Sequence, residues 1–271
     1  MCLPLPSDYA KNWSQYQTGA EARILCLRPP EARGLPLCTL HDVFRRFLLA
    51  TREPLPQASD TTIAAIRAAA LLCSSMGQSF STKGNDSNSV KLSQDTKENA
   101  RTIEFDDCTG GILDRFDKTY TLNTSRNVHT GIVDGALLEK DVLIAIREIK
   151  AEPGAAGDAY MQVARGYDLA LRVLQDRIGA KAFLKQGAPM FLLCVVGARS
   201  LRNSVYIGAD HTCLYAGPQL LIAGGFYDGN KVTVEPLGDI CLMLEDYTNA
   251  RCKKLAQVLY ALAKGIGELK K

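Results

Sequence analysis

"VDGALLEKDVLIAIREIKAE", residues 133–152, reads as two apolar strands joined by a charged turn. Asp134, Glu148, Lys150 and Glu152 lie inside or against the apolar runs, where an isolated charge is costly to desolvate. From Val142 the run is apolar on both parities at first. Ile144 and Ile146 lead to Glu148 and Lys150 on one face, Leu143 and Ala145 to Arg147 and Ile149 on the other. A central strand covered on both sides has this pattern.

Residues two apart on a strand share a face, so Glu148 and Lys150 project together. Asp134 joins them in one register only. A three-residue loop, Glu139 to Asp141, sets Asp134 opposite Ile146 and diagonal to Glu148, whereas a two-residue loop sends the two carboxylates to opposite faces. The three-residue loop is expected, because two carboxylates and one ammonium then meet where the apolar part of the sheet ends. A hard dication, Mg²⁺ (or Mn²⁺), held by Asp134 and Glu148 would offset their repulsion, with Glu152 and the Ile149 carbonyl completing its shell. Such an ion activates water and neutralises a phosphoryl oxygen while Lys150 stabilises developing charge, and those parts amount to phosphodiester hydrolysis. The competing explanation is a structural Glu–Lys ion pair. An acid-x-Lys triplet says little alone, since Asp95-Thr-Lys97 and Glu268-Leu-Lys270 repeat it in polar surroundings. Only Glu148-Ile-Lys150 closes a buried strand that follows an Asp-bearing one.

Outward from this hairpin, the pattern predicts strands near 118–123, 129–138 and 142–150, a helix over 158–177, and strands near 189–197, 203–209, 219–226 and 231–237. A last helix, 248–267, carries Leu255, Val258, Leu259, Leu262 and Ile266 on one face. Upstream, residues 1–38 read as irregular. "TLHDVFRRFLLAT" starts a helix, and a second follows in "SDTTIAAIRAAALLCSSMG", with Asp60 as its cap and Gly77 as its end. Residues 78–101 are polar and Ser/Asn-rich, which predicts a mobile loop turning helical near Glu98. The expected division is a helical N-terminal region, 1–101, and an α/β core, 102–271, with helices covering a mixed sheet.

With 271 residues, 46% of them hydrophobic, the chain can bury a substantial core. No apolar run reaches the ~18 residues that span a bilayer, and the start lacks the features of a secretory signal. An intracellular protein without membrane contact is expected, the nucleus included. Nine cysteines without a Cys-x-x-Cys pair fit reduced thiols and argue against a sulfur-ligated metal. A net charge of +3 announces no polyanion partner, so any nucleic-acid site must be a local patch. Arg165, Arg172, Lys181, Lys185, Arg199 and Arg202 are candidates for phosphate contacts. Tyr160, Val163, Tyr167, Leu171 and Leu174 read as a core stripe, His129 as pointing away from Asp134, and His41 and His211 as lacking metal spacing.

"GIVDGALLEKDVLIAIREIKAEPGAAGDAYMQVARGYDLAL" resembles the core of the PD-(D/E)XK nuclease superfamily, above all the nuclease-type domain of Crinkler-related proteins and of fungal kinase-associated proteins. The likeness rests on Asp134-Gly135, Glu148-Ile149-Lys150-Ala151-Glu152, Gly154 and Gly157, and Gln162 with Tyr167. It extends to "GAPMFLLCVVG" and to the Val-x-Pro-Leu segment at Val234 to Leu237. It implies a restriction-endonuclease-like sheet and a Mg²⁺-dependent endonuclease acting on double-stranded DNA. Asp134 and Glu148 would be metal ligands, Lys150 the catalytic lysine, and Gln162 a helix residue orienting the site. "ENARTIEF" matches an acid-x-x-Arg pattern that would add Glu98 to the ligands. The alternative is a silent effector module of the same fold, delivered into a host cell to bind nucleic acid or protein. Val133 and Ala151 depart from the usual Pro and Asn, and residues 198–215 read as an insert, one extra hairpin.

Overall fold

The structure is a computed structural model and describes residues 24–26, 35–57, 59–76, 94–114, 116–123, 130–140, 142–150, 159–175, 181–197, 218–242 and 250–271. In chain order the elements are β1 (Ile24–Cys26), α1 (Leu37–Leu40), α2 (Asp42–Ala50), α3 (Asp60–Ser75), α4 (Gln94–Thr109), β2 (Asp117–Asn123), β3 (Thr130–Glu139) and β4 (Val142–Lys150). There follow α5 (Ala159–Gln175), α6 (Lys181–Lys185), β5 (Met190–Val196), β6 (Gln219–Tyr227), β7 (Val232–Cys241) and α7 (Ala250–Leu269). The fold is α/β, with one mixed sheet ordered β1-β7-β6-β5-β4-β3-β2. β4–β5 and β1–β7 pair in parallel and the other neighbours are antiparallel.

Two apolar clusters, one on each face, explain why β4 is apolar on both parities. On one side Ala145, Ile149 and Leu193 pack with Phe47, Leu72, Phe105 and Leu259 from α2, α3, α4 and α7. On the other, Ile146 and Leu192 pack with α5, whose Tyr160, Val163, Tyr167, Leu171 and Leu174 are the expected core stripe. α5 is the crossover that the parallel β4–β5 pair requires.

The β3–β4 hairpin corrects the expected loop. Glu139 pairs with Val142, so the turn holds two residues, and Lys140 takes φ 49. A left-handed lysine is unfavourable, and no Gly or Asn marks the turn. Yet the parity of the longer loop survives, because a β-bulge intervenes. Leu137 faces Ala145 while Leu138 faces Leu143, which leaves Ile144 as the extra residue. The simple alternation along β4 therefore fails at one place: Ile144 joins the α2/α3/α7 side with Ala145, and Leu143 joins the α5 side.

Other expectations move by small amounts. Residues 1–38 contain a short strand, β1, that pairs with Val232 to Val234 of β7. The cap of α3 is Ser59, whose hydroxyl accepts from the Thr62 N–H at 3.1 Å, not Asp60. α4 begins at Gln94, so Asp95-Thr-Lys97 is helical and the helix runs across position 101. Its negative mean hydropathy hides a buried side carrying Arg101, Phe105 and Cys108. His41 turns out to cap α2, its Nδ1 accepting from the Val43 N–H at 3.2 Å. Pro236 of the Val-x-Pro-Leu segment stands at a second bulge, beyond the β1 pairing, where a missing N–H costs no ladder bond. Gly77, the loop at 77–93, His129, the strand at 203–209 and the 198–215 insert with Arg199, Arg202 and His211 lie outside the described residues.

Gly265 of α7 shows how closely helix and sheet approach. A Cβ there would stand 2.6 Å from Phe191 Cζ, and Phe191 is itself held between Phe44 and Phe47, with ring centroids 5.6 and 5.5 Å away. Gly265→Ala gains about 0.5–1 kcal/mol of helix propensity, but overpacking costs about 1–3 kcal/mol. The variant is expected to melt several degrees lower by calorimetry.

Candidate functional site

The hairpin register ends at Gly135–Arg147; one step further along it Asp134 stands opposite Glu148. There the Asp134 side chain takes up a backbone donor, its Oδ2 accepting from the Ile149 N–H at 2.8 Å. That bond aims the aspartate at β4. Two residues along β4 from Glu148, Lys150 Nζ lies 2.8 Å from Glu148 Oε1, and both side chains are over nine-tenths buried. A further acid arrives from α4, with Glu98 Oε2 3.9 Å from the same ammonium. Asp134, Glu148, Lys150 and Glu98 are therefore gathered at one end of β4.

Three carboxylates, those of Glu148, Glu98 and Asp134, act on the Lys150 ammonium. Burial, then the neighbouring Asp134 charge, pushes the Glu148 carboxyl up to about 7, and Lys150 only partly opposes this. Burial works against the Lys150 ammonium too, but Glu148, by charge and hydrogen bond, and then Glu98 and Asp134 outweigh it and raise its pKa. Lys150 is thus a fixed cation at neutral pH, suited to donating hydrogen bonds and unsuited to accepting a proton.

These oxygens suit a hard dication, and the upward shift of Glu148 marks a carboxyl that is buried and set beside a second acid. Among the described residues, no three His, Cys, Asp or Glu side chains already stand together as a ligand set. A cation would be held by two carboxylates and waters, the usual arrangement for Mg²⁺. Glu152 lies outside the described residues, as do Gly154 and Gly157. Gln162 is in the first turn of α5 and half-buried. Of the phosphate candidates, Lys181 and Lys185 are exposed on α6, whereas Arg172 Nε binds Asp168 at 3.0 Å.

Next to Glu148 on β4 stands a residue to which the sequence pattern assigns no role. Arg147 is fully buried, pairs with Asp106 of α4, and lies over the rings of Phe105 and Phe116, 5.4 and 4.8 Å from their centroids. The signal was present, since an arginine on the apolar parity of a central strand needs a buried acid. Gly135 also acquires a reason. A Cβ at that position would lie 3.0 Å from Arg147 Nε and Nη2, so any side chain there would press on the guanidinium.

Comparison with protein-family models, with curated proteins and with solved structures finds no match in any of the three.

Because folding raises the Glu148 pKa from 4.5 to about 7, this group's stabilising contribution is full below about pH 4.5 and is lost as pH rises through 7. Without divalent ions, Glu148→Gln should therefore be more stable than wild type at pH 8, by on the order of 2–3 kcal/mol, and nearly equal at pH 4.5. Urea titrations at the two pH values measure the difference.

Proposed function

We propose that the protein is a metal-dependent nuclease that hydrolyses phosphodiester bonds of DNA. The observation that carries this reading is the gathering of Asp134, Glu148 and Glu98 about Lys150, with Glu148 raised to about 7 by burial and by the Asp134 charge. A structural ion pair needs one acid. A site built to receive a dication needs more, and it accepts a stability cost while empty.

In this reading Asp134 and Glu148 hold Mg²⁺ or Mn²⁺, with Glu98 able to approach as a third oxygen donor. The bound ion would supply an activated water and neutralise a phosphoryl oxygen. The Asp134 carboxylate is fixed by the Ile149 amide, which leaves its other oxygen for a ligand. Lys150 is oriented by Glu148 and has further N–H groups to direct at a nucleophile or at the charge growing on the phosphate. Gln162, at the start of α5, is assigned to orienting the site or holding a phosphate, and Lys181 and Lys185 to backbone contacts with a duplex.

Support from the fold is of the same kind. The Asp-bearing strand, the Glu-x-Lys strand and the Gln-bearing helix follow one another in a mixed sheet flanked by helices, and α4 delivers the upstream acid. Those are the parts that the resemblance to PD-(D/E)XK nucleases and Crinkler-type domains implies, and we assign the chain a restriction-endonuclease-like fold on that basis. A second reading, a silent interaction module, draws on a different feature. Ile63 and Leu71 of α3 are about half exposed and line a groove of about 370 Å³ with Asp60, Arg67 and Asp107, a surface suited to a protein partner.

A plasmid-nicking assay separates the two. The wild type should nick DNA with Mg²⁺ or Mn²⁺ and not with EDTA, and Lys150→Ala should be slower by on the order of 10²–10³-fold. Equal nicking by both proteins would move the chemistry away from this site; none by either would favour the module. Binding can be read without turnover as well. Saturating Mg²⁺, at about a hundred times its Kd, should stabilise the wild type by about 2.7 kcal/mol and leave Asp134→Asn unmoved, as thermal melts would show.

A further inference from the structure

We infer that Arg147, from the far side of the sheet, positions both acidic arms of the site as a buried clamp; its catalytic consequence rests on the nuclease reading above. The guanidinium packs beside Gly135, where a Cβ would meet its Nε and Nη2 at 3.0 Å. Its Nη2 donates to the Asp134 carbonyl at 3.3 Å, and its Nη1 binds Asp106 of α4. The carbonyl belongs to the residue whose carboxylate accepts from the Ile149 amide. The aspartate partner belongs to the helix that brings Glu98 to 3.9 Å from Lys150. One planar fork therefore ties the strand carrying Asp134, the strand carrying Glu148 and Lys150, and the helix carrying Glu98.

The chemistry of the fork makes this more than filling. Arginine presents several donors in a fixed plane, so it can bind a carboxylate and a carbonyl at once, and two aromatic rings hold the plane still. An apolar residue of similar length could fill the same space but could not set the height of Asp134 above β4. The polar link from α4 to β4 through Asp106 would be lost too. Arg147 touches no substrate in this account. It is a positioning residue, and removing such support typically weakens metal binding about 10–100-fold.

The test uses the full chain, with the paired variant Arg147→Met/Asp106→Asn, because losing one partner alone would strand a buried charge and could unfold the protein. Mn²⁺ affinity by calorimetry and exchange of the Ile149 amide by NMR are measured on wild type, the paired variant and Gly265→Ala, which weakens packing away from the site. Expected are Mn²⁺ binding at least ten-fold weaker and faster Ile149 exchange in the folded paired variant, with both near wild type in Gly265→Ala. Unchanged Mn²⁺ affinity and unchanged Ile149 exchange in the paired variant would overturn the clamp, as would equal losses in Gly265→Ala. If the wild type itself binds no Mn²⁺, the nuclease reading fails, and the clamp stands or falls on Ile149 exchange alone.

Discussion

A β-strand alternates its side chains with a period of two, and nothing softer than an inserted residue can change which face a residue meets. The site depends on that constraint. With the two-residue turn at Lys140 and an unbroken ladder, Asp134 would face Arg147 and the two carboxylates would lie on opposite sides of the sheet. The extra residue at Ile144 shifts the count by one. Its own side chain stays buried on the α2/α3/α7 side, so the correction exposes no apolar surface. Bulges are found where a strand must re-aim a side chain, and here the re-aimed residue is the aspartate.

β4 offers two solutions to burying charge on adjacent positions. Arg147 is matched one to one with Asp106 and enclosed by aromatic rings, which is how a fold tolerates an ion it keeps for structure. Lys150, three residues on, has Glu148 as its partner at 2.8 Å and then two further acids within electrostatic reach. The same strand therefore holds a one-to-one ion pair and a cation attended by several acids. Packing does not require the second, because Glu148 is less stable charged than it would be in water. That difference between the two arrangements is the feature on which the metal-site proposal rests.

Much of this was legible in the chain. Periodicity placed β2 to β7 and the crossover helix within one to four residues, since each buries a continuous apolar face, and the Glu-x-Lys ending of a two-sided strand pointed to the right place. What escaped detection has local causes. Lys140 in a left-handed turn breaks the residue preferences that reveal loop length. A bulge carries no composition signal when the extra residue is as apolar as its neighbours, as Ile144 is. α4 has a polar exterior and too few apolar positions for a strong period, so its first turn has the composition of a loop, although its buried side holds Arg101 and Phe105. Arg147 was seen as one residue of an alternating run, and its partner Asp106 is 41 positions away, beyond the reach of any pattern window.

The position of the cluster in the sheet bears on access. β4 is antiparallel to β3 and parallel to β5, so the chain cannot turn straight back at Lys150; it must cross over through α5. β4 and its parallel neighbour β5 thus end on the same side of the sheet, the carboxyl side at which open α/β sheets receive ligands. The Lys150 carbonyl is held by the Gly197 N–H at 2.8 Å, so the strand stays paired to its last residue. Lys150 and Glu148 are thus fixed by a ladder on the β5 side, while on the β3 side Asp134 spends its carboxylate on the Ile149 amide. A paired ladder on one side and an acid aimed across the seam on the other hold Asp134, Glu148 and Lys150 at this end of β4, where α4 brings Glu98 to 3.9 Å from the ammonium.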